Sequence, residues 1–196
     1  MTIELHPARL VDAAGIAAIY RPVVEQTAIS FELEPPSAEQ MAERMSGRLD
    51  LHPWIVARDG DEILGYAYGT DFRSRPAYRF GTETSVYVAE SQRGRGLGRR
   101  LMTSLLELVR RLRRSNVYAG VTLPNEASVT LHESLGFSPV AVFPRAGYKH
   151  GAWHDVGFWH LPLAEALPPA EPLTPEELTA DDWAAAEVAP PEASGS

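Results

Sequence analysis

The sequence predicts an α/β fold: a mixed central sheet of about six to seven strands flanked by about four helices. Three observations carry this. Short β-branched and aromatic segments alternate with amphipathic ones in the order β-α-α-β-β-β-α-β-α-β-β. Leu97, Leu101, Leu105, Leu108, Val109 and Leu112 give a long helix with a single apolar face, which needs a sheet to cover it. The stretch "WIVARDGDEILGYAYG" reads as strand, Asp-Gly turn, strand, so some neighbouring strands are antiparallel.

The elements follow in chain order. Ile16, Ile19, Tyr20, Val23 and Val24 repeat at helical spacing, and Pro22 among them should kink that helix or end it early. Residues 37–49 read as a second helix with Ser37 as N-cap. The hairpin from Trp54 comes next, then the strand "TETSVYV" and the Leu-rich helix. "VYAGVTL" is a strand. "NEASVTLHESLG" is a short helix with Asn125 at its N-cap and Gly136 just past its end. "FSPVAVF" and "HDVGFWHL" close the body as two strands. No internal repeat is present.

The 196 residues allow one domain with a sizeable core and some extra chain. No apolar run approaches a membrane span, and the N-terminal segment has no signal-peptide pattern. There is no cysteine, which excludes disulfides, thiolate metal sites and a Cys nucleophile and fits a reducing cytoplasm. The net charge of −8 is unevenly placed. Residues 162–196 hold eight acids and no Lys or Arg; the remaining 18 acids equal the 18 basic residues, all within 1–161. Seven of the sixteen prolines also lie in 162–196. We therefore divide the chain into a domain at 1–161 and an acidic Pro/Ala/Glu-rich extension at 162–196. There Thr174, Pro175 and Glu177 mark a helix start, so a short appended helix or a mobile tail is expected.

The most informative segment is "VYVAESQRGRGLGRRLM", residues 86–102. A strand runs into a glycine-rich turn that opens a helix, an arrangement that binds phosphate. Gly94, Gly96 and Gly98 let a ligand approach the backbone, and Arg93, Arg95, Arg99 and Arg100 add positive charge. No Gly-Lys pair exists for a P-loop, and Arg99 stands where the dinucleotide fingerprint needs its last glycine. A basic surface turn is the plain alternative. A nucleic-acid stripe is another, since eight of the eighteen basic residues lie at 93–114.

What fits is [Q/R]-x-x-G-x-[G/A], met by Arg93, Gly96 and Gly98. This resembles the acetyl-CoA loop of the GNAT superfamily of N-acetyltransferases. "LPNEASVTLHESLGF" resembles the next element of that family, with Asn125, Ser128 and Leu131 before Gly136-Phe137. Many members carry Tyr where this chain has His132, so their usual general acid is absent. His132, Glu83 in "GTETSVYV", "ISFELEPP", "HPWIVA" and above all "KHGAWHDVGFW" (149–159) resemble the phosphinothricin acetyltransferase-like branch. The likeness spans residues 3–161.

The resemblance implies a GNAT fold, acetyl-CoA as co-substrate and no metal. It implies that Val86, Tyr87, Val88, Arg93, Gly94, Arg95, Gly96, Leu97, Gly98 and Arg99 line the cofactor, with the pyrophosphate on the N–H groups of 94–99 and pantetheine beside Asn125 and Ser128. A splayed strand there would leave the Val88 N–H to polarise the thioester carbonyl. It also implies a homodimer acting on a small-molecule amine, with no nucleic-acid or membrane partner, in the cytoplasm.

Amide formation needs a base to take a proton from the amine. Glu83 is the leading candidate, sharing one strand face with Ser85 and Tyr87; the plain alternative is an exposed strand acid. His132 could act as base, as acid toward the thiolate, or hold the substrate; otherwise it is a hydrogen-bonded core histidine. An anionic amino-acid substrate calls for cations and aromatic walls, for which Phe31, Arg73, Arg75, Tyr78 and Lys149 are candidates. His150 and His154 have i, i+4 spacing, but Gly151 and the following strand pattern oppose a zinc-binding helix. The expected reaction is direct acetyl transfer, in a ternary complex, to the amine of phosphinothricin, methionine sulfoximine or methionine sulfone. The alternatives are another amine (a protein N-terminus or an antibiotic), or a non-catalytic module that binds acetyl-CoA or nucleic acid.

Overall fold

Seven strands form one sheet: β1 (Glu4–Pro7), β2 (Trp54–Asp59), β3 (Glu62–Asp71), β4 (Gly81–Val88), β5 (Asn116–Leu123), β6 (Ser138–Lys149) and β7 (Ala152–Pro162). Their order across the sheet is β1-β2-β3-β4-β5-β7-β6. Five helices accompany them: α1 (Ala13–Gln26), α2 (Ala38–Ser46), α3 (Leu97–Arg111), α4 (Glu126–Ser134) and α5 (Ala180–Ala185). This computed structural model describes residues 2–165 and 168–191. Within the extension, Ala166, Leu167 and Glu192–Ser196 lie outside the described residues.

Strand alternation divides the core between two faces. On β2, Ile55 and Ala57 point to a cluster with Leu101, Leu105, Leu108 and Val109 of α3. Trp54 and Val56 point the other way, to Ile16 and Val24 of α1 and to Met41 and Met45 of α2. The fold is thus the α/β arrangement the periodicity predicts, with helices on both sides.

Three local expectations need correction. Pro22 neither ends α1 early nor limits it; the helix runs on to Gln26, because Val23 and Val24 beyond the proline are buried. Their burial outweighs the one missing backbone bond. The second helix is shorter than 37–49: a Ser37/Gln40 capping box starts it and Gly47 ends it. The last two strands are longer than "FSPVAVF" and "HDVGFWHL". They continue as a hairpin to a turn at His150 (φ 50°) and Gly151 (φ 75°), past a register shift between Phe143 and Gly147. That shift breaks the alternation, and a His-Gly turn is a weak sequence signal.

The described part of the extension takes the first of the two expected forms, a short appended helix, and packs on the domain. Thr174 and Glu177 do form a capping box, but it closes only a 3-10 turn; a second box, Thr179 with Asp182, starts α5. Leu178, Trp183, Ala186 and Val188 are buried in the α3-side core. The Leu173 N–H donates to the Leu112 carbonyl (3.0 Å), and Ala189 N–H donates to the Leu5 carbonyl (2.9 Å). Arg111 pairs with Asp182 at 2.7 Å. The basic stripe at 93–114 is largely consumed by such contacts: Arg99, Arg100, Arg110, Arg111 and Arg114 all donate to protein acceptors.

One feature of the sheet positions the site. β4 and β5 are parallel but pair only at Gly81↔Asn116, Thr82↔Val117 and Glu83↔Tyr118. Beyond Glu83, β4 stays with β3 as far as Val88, while β5 follows β7 to Leu123. A slot opens between the two strands.

Candidate active site

The slot has a polar edge. The Ala89 N–H donates to the Leu64 carbonyl (2.9 Å), and the β3–β4 register is unbroken from Gly65↔Val88 back to Asp71↔Thr82. Antiparallel bonds alternate, so Tyr87 and Ser85 also bond to β3, while the amides of Val86 and Val88, beyond the last β4–β5 pair, face the slot. Of the three strand residues expected at the cofactor, Val86 and Val88 therefore present their backbone. Tyr87 does not: its ring packs on Tyr20 and Tyr66 at 5.1 and 5.3 Å.

At the end of β4 the chain makes a 3-10 turn, then takes positive φ at Gly94 (72°) and Gly96 (82°). Neither angle suits a residue with a Cβ. The first helical bond of α3 is Arg100 N–H to the Gly96 carbonyl (3.0 Å), so the amides of Leu97, Gly98 and Arg99 have no intrahelical acceptor. These amides and the helix dipole form an anion-binding end. Gly98 has no conformational need to be glycine. A Cβ there would sit 3.6 Å from Val88 Cγ2 and 3.9 Å from Leu131 Cδ2, ordinary contact distances. What its bareness leaves is a smooth cradle between the helix end and β4. Arg93 and Arg95 are exposed beside it. The Arg99 side chain is turned away, donating to Ser134 Oγ (2.6 Å), so only its backbone serves the loop. Cradle, free amides and slot edge together present a row of backbone donors leading from an anion-binding helix end into the slot.

A narrow cleft of ≈ 60 Å³ continues from the slot between Ile29, Ser85, Gly120, Asn125, Ser128 and His132. Two larger grooves of ≈ 600 Å³ run along α3 with the extension and along α1, but neither contains Glu83 or His132. Asn125 caps α4, its Oδ1 accepting from the Ser128 N–H (3.1 Å). His132 is buried (4% exposed), with its ring edge-on to Phe137. Its Nδ1 lies 2.8 Å from the Ser128 carbonyl, which can only accept, so the proton is on Nδ1. Nε2 then carries a lone pair and has no protein partner. Burial lowers the His132 pKa, the bond to Ser128 partly opposing it, so the ring is neutral near pH 7. Glu83 lies next to Gly120 of the cleft lining, with Oε1 3.4 Å from where a Cβ on Gly120 would lie. Burial raises its pKa above the ordinary value, and the charge of Arg73 partly offsets this.

The five residues expected at the acceptor separate. Arg73 is the cation coupled to Glu83; its guanidinium lies over the Phe72 ring at 4.4 Å. Arg75 and Tyr78 stay on the exposed loop after β3, Tyr78 edge-on to Phe72. Phe31 is partly exposed, on the loop between α1 and α2. Lys149 needs correction: it is 5% exposed, and its Nζ donates to the Val24 and Ser30 carbonyls at 2.6 and 2.7 Å. It holds backbone rather than offering a charge to a ligand. His150 and His154 are likewise occupied, each with Nε2 on a backbone carbonyl, of Thr27 and of Lys149.

Sequence reasoning missed the network that shapes the α1–α2 loop. Tyr20 Oη meets Ser30 Oγ (2.6 Å) and donates to Glu32 (3.0 Å), and Arg44 grips Glu32 with two bonds of 2.7 and 2.8 Å. Burial pushes the Tyr20 hydroxyl up to about 12, so it stays a donor, while Arg44 holds the Glu32 carboxyl down. No local pattern reports pairs ten and twelve residues apart.

The sequence pattern of the Acetyltransferase (GNAT) family matches residues 20–137. Phosphinothricin N-acetyltransferase of Streptomyces viridochromogenes is 36% identical over 157 residues, 80% of this chain and 86% of that protein. L-methionine sulfoximine/L-methionine sulfone acetyltransferase of Salmonella typhimurium is 36% identical over 155 residues, 79% of this chain and 91% of that protein. Among solved structures, a putative acetyltransferase from Salmonella typhimurium, with its cofactor acetyl-CoA, superposes with a TM-score of 0.83 at 33% identity. That match covers 87% of this chain and 99% of the other.

Proposed function

The chain belongs to the GNAT family of acetyltransferases, and from that premise we propose that it acetylates the α-amine of a small amino acid: phosphinothricin, methionine sulfoximine or methionine sulfone. The observation that carries the reading is the slot between β4 and β5, with His132 lining the cleft that continues it and Glu83 against Gly120 of that lining.

Bound acetyl-CoA supplies the acetyl group as an activated thioester. The chain does the rest. The amides of 94–99 and the Gly98 cradle hold the pyrophosphate, and the slot edge of Val86 and Val88 aligns the pantetheine arm. The Val88 N–H is the donor for the thioester carbonyl. Glu83, made more basic than an exposed glutamate by its burial, takes in its carboxylate form the proton that keeps the acceptor amine from reacting. His132 exchanges a proton at Nε2 while Nδ1 stays on the Ser128 carbonyl. Arg73, with Phe31 as a wall, receives the anionic part of the acceptor. Transfer is direct, as a cysteine-free chain favours.

We assign catalysis to residues 1–161 and assembly to a cytoplasmic homodimer. The edge strand β6 supports the dimer, exposing Val140, Val142, Phe143 and Tyr148. The test of the activity is thiol release from acetyl-CoA with a panel of free amino acids that includes the three named acceptors. Turnover with one or more supports the reading; acetyl-CoA binding without turnover of any removes the acceptor class.

A further inference from the structure

We infer that Lys149 is a positioning residue: its buried ammonium latches the loop of residues 27–32 to the β6–β7 hairpin and so sets the acceptor-side wall of the cleft. This rests on the reading that the acceptor enters beside Glu83.

The last carbonyls of a helix have no intrahelical partner and carry the negative end of its dipole. The last turn of α1 contains no basic residue of its own. Lys149, 125 positions away on β6, supplies the cation by donating to the Val24 carbonyl. A second bond goes to the Ser30 carbonyl, inside the loop. One ammonium thus joins a helix end, a loop and a hairpin.

Two neighbours on the hairpin complete the latch. The Phe31 ring lies against Gly147, where any Cβ would fall inside the ring's van der Waals envelope, so residue 147 must be bare for the ring to sit there. His150 Nε2 lies 3.2 Å from the Thr27 carbonyl. Residues 147, 149 and 150 of the hairpin therefore meet residues 31, 30 and 27 of the loop. The loop also carries Ile29, which lines the cleft opposite His132, and Thr122 of β5 donates to the Ile29 carbonyl at 3.4 Å. Releasing the latch would move Ile29 and Phe31, both on the acceptor side, while the slot edge and the glycine loop lie on other elements.

The test uses the full chain with methionine sulfone as acceptor. In Lys149→Met, the KM for the acceptor should rise by about tenfold or more, the scale of one lost charge-assisted hydrogen bond. The KM for acetyl-CoA should stay as in the wild type. The amides of Ile29 and Glu32, bonded within the loop to Thr27 Oγ1 and Ser30 Oγ, should exchange faster with deuterium while β2–β4 do not change. The chain has no cysteine, so Lys149→Cys, alkylated with bromoethylamine in the unfolded state and refolded, restores an ammonium at this position alone; it should restore acceptor KM and loop protection. A parallel rise in both KM values, unchanged loop exchange in Lys149→Met, or no recovery on alkylation would overturn the latch. Should Lys149→Met not fold, Lys149→Gln, isosteric enough to pack but without the ammonium, replaces it: faster loop exchange than in the wild type is expected, and wild-type exchange refutes the inference. Should the wild type acetylate no amino acid, the acceptor reading fails, and loop exchange alone decides the latch.

Discussion

Gly98→Ala separates the needs of the fold from those of the ligand. In the folded protein the added methyl meets only Val88 Cγ2 at 3.6 Å and Leu131 Cδ2 at 3.9 Å, so it neither clashes nor strains the backbone. Position 98 lies in the first turn of α3, where alanine loses less chain entropy on folding than glycine. Stability should therefore rise by up to about 1 kcal/mol, a gain of about 2–4 °C in Tm for a chain of this size. Yet the methyl projects into the cradle assigned to the pyrophosphate. Displacing a phosphate oxygen from one or two amides costs about 1.5–3 kcal/mol, so the KM for acetyl-CoA should rise about 10- to 100-fold. Calorimetry on the ligand-free protein and initial rates at varied acetyl-CoA read the two effects separately. A variant that is more stable but retains wild-type KM for acetyl-CoA would show that Gly98 is not part of the phosphate site, and the reasoning from its bareness would fail.

The other predictions are more direct. Gly96→Val places a β-branched residue at φ 82° and should raise the KM for acetyl-CoA far more than that for the amine; equal effects on both would count against the loop assignment. Glu83→Gln should lower kcat by about 10² or more, the scale for losing a general base. Because burial raises the Glu83 pKa above 4.5 and only the carboxylate accepts a proton, wild-type kcat/KM should fall as pH drops through that raised value; Glu83→Gln should lack this limb, and an unchanged profile would remove Glu83 from the mechanism. Trp183→Ala empties a site that is 3% exposed and should cost about 3–5 kcal/mol, or about 6–20 °C in Tm. A Tm within 2 °C of wild type, roughly the effect of a surface change, would mean that the extension does not stabilise the domain.

Much of this was legible in the sequence because the signals are local. The Leu97–Leu112 repeat, the Asn125 cap and the strand–glycine–helix order at 86–102 each lie within about seventeen residues of chain, and they carry the family resemblance that implies the cofactor side of the site. The opening of β4 from β5 was implied by the family resemblance and depends on three parallel pairs that no periodicity reports. The acceptor side was read less well for the same reason. Lys149 reads in sequence as a candidate cation for the acceptor, and only its position against the end of α1 reveals two carbonyl acceptors. Tyr20, Ser30, Glu32 and Arg44 are unremarkable one by one and become a network only when α1, α2 and their loop pack. The extension was half legible: its first capping box is visible, but Trp183 and Val188 find their partners on α3 and β1, far along the chain.

The central claim is direct acetyl transfer to an amino-acid amine at one cleft. Initial rates with acetyl-CoA and methionine sulfone both varied, with the N-acetyl product quantified by mass, test it most directly. Direct transfer gives intersecting reciprocal plots and one N-acetyl amino acid for each thiol released. Parallel plots with an acetylated protein, or thiol release without N-acetyl product, would contradict it.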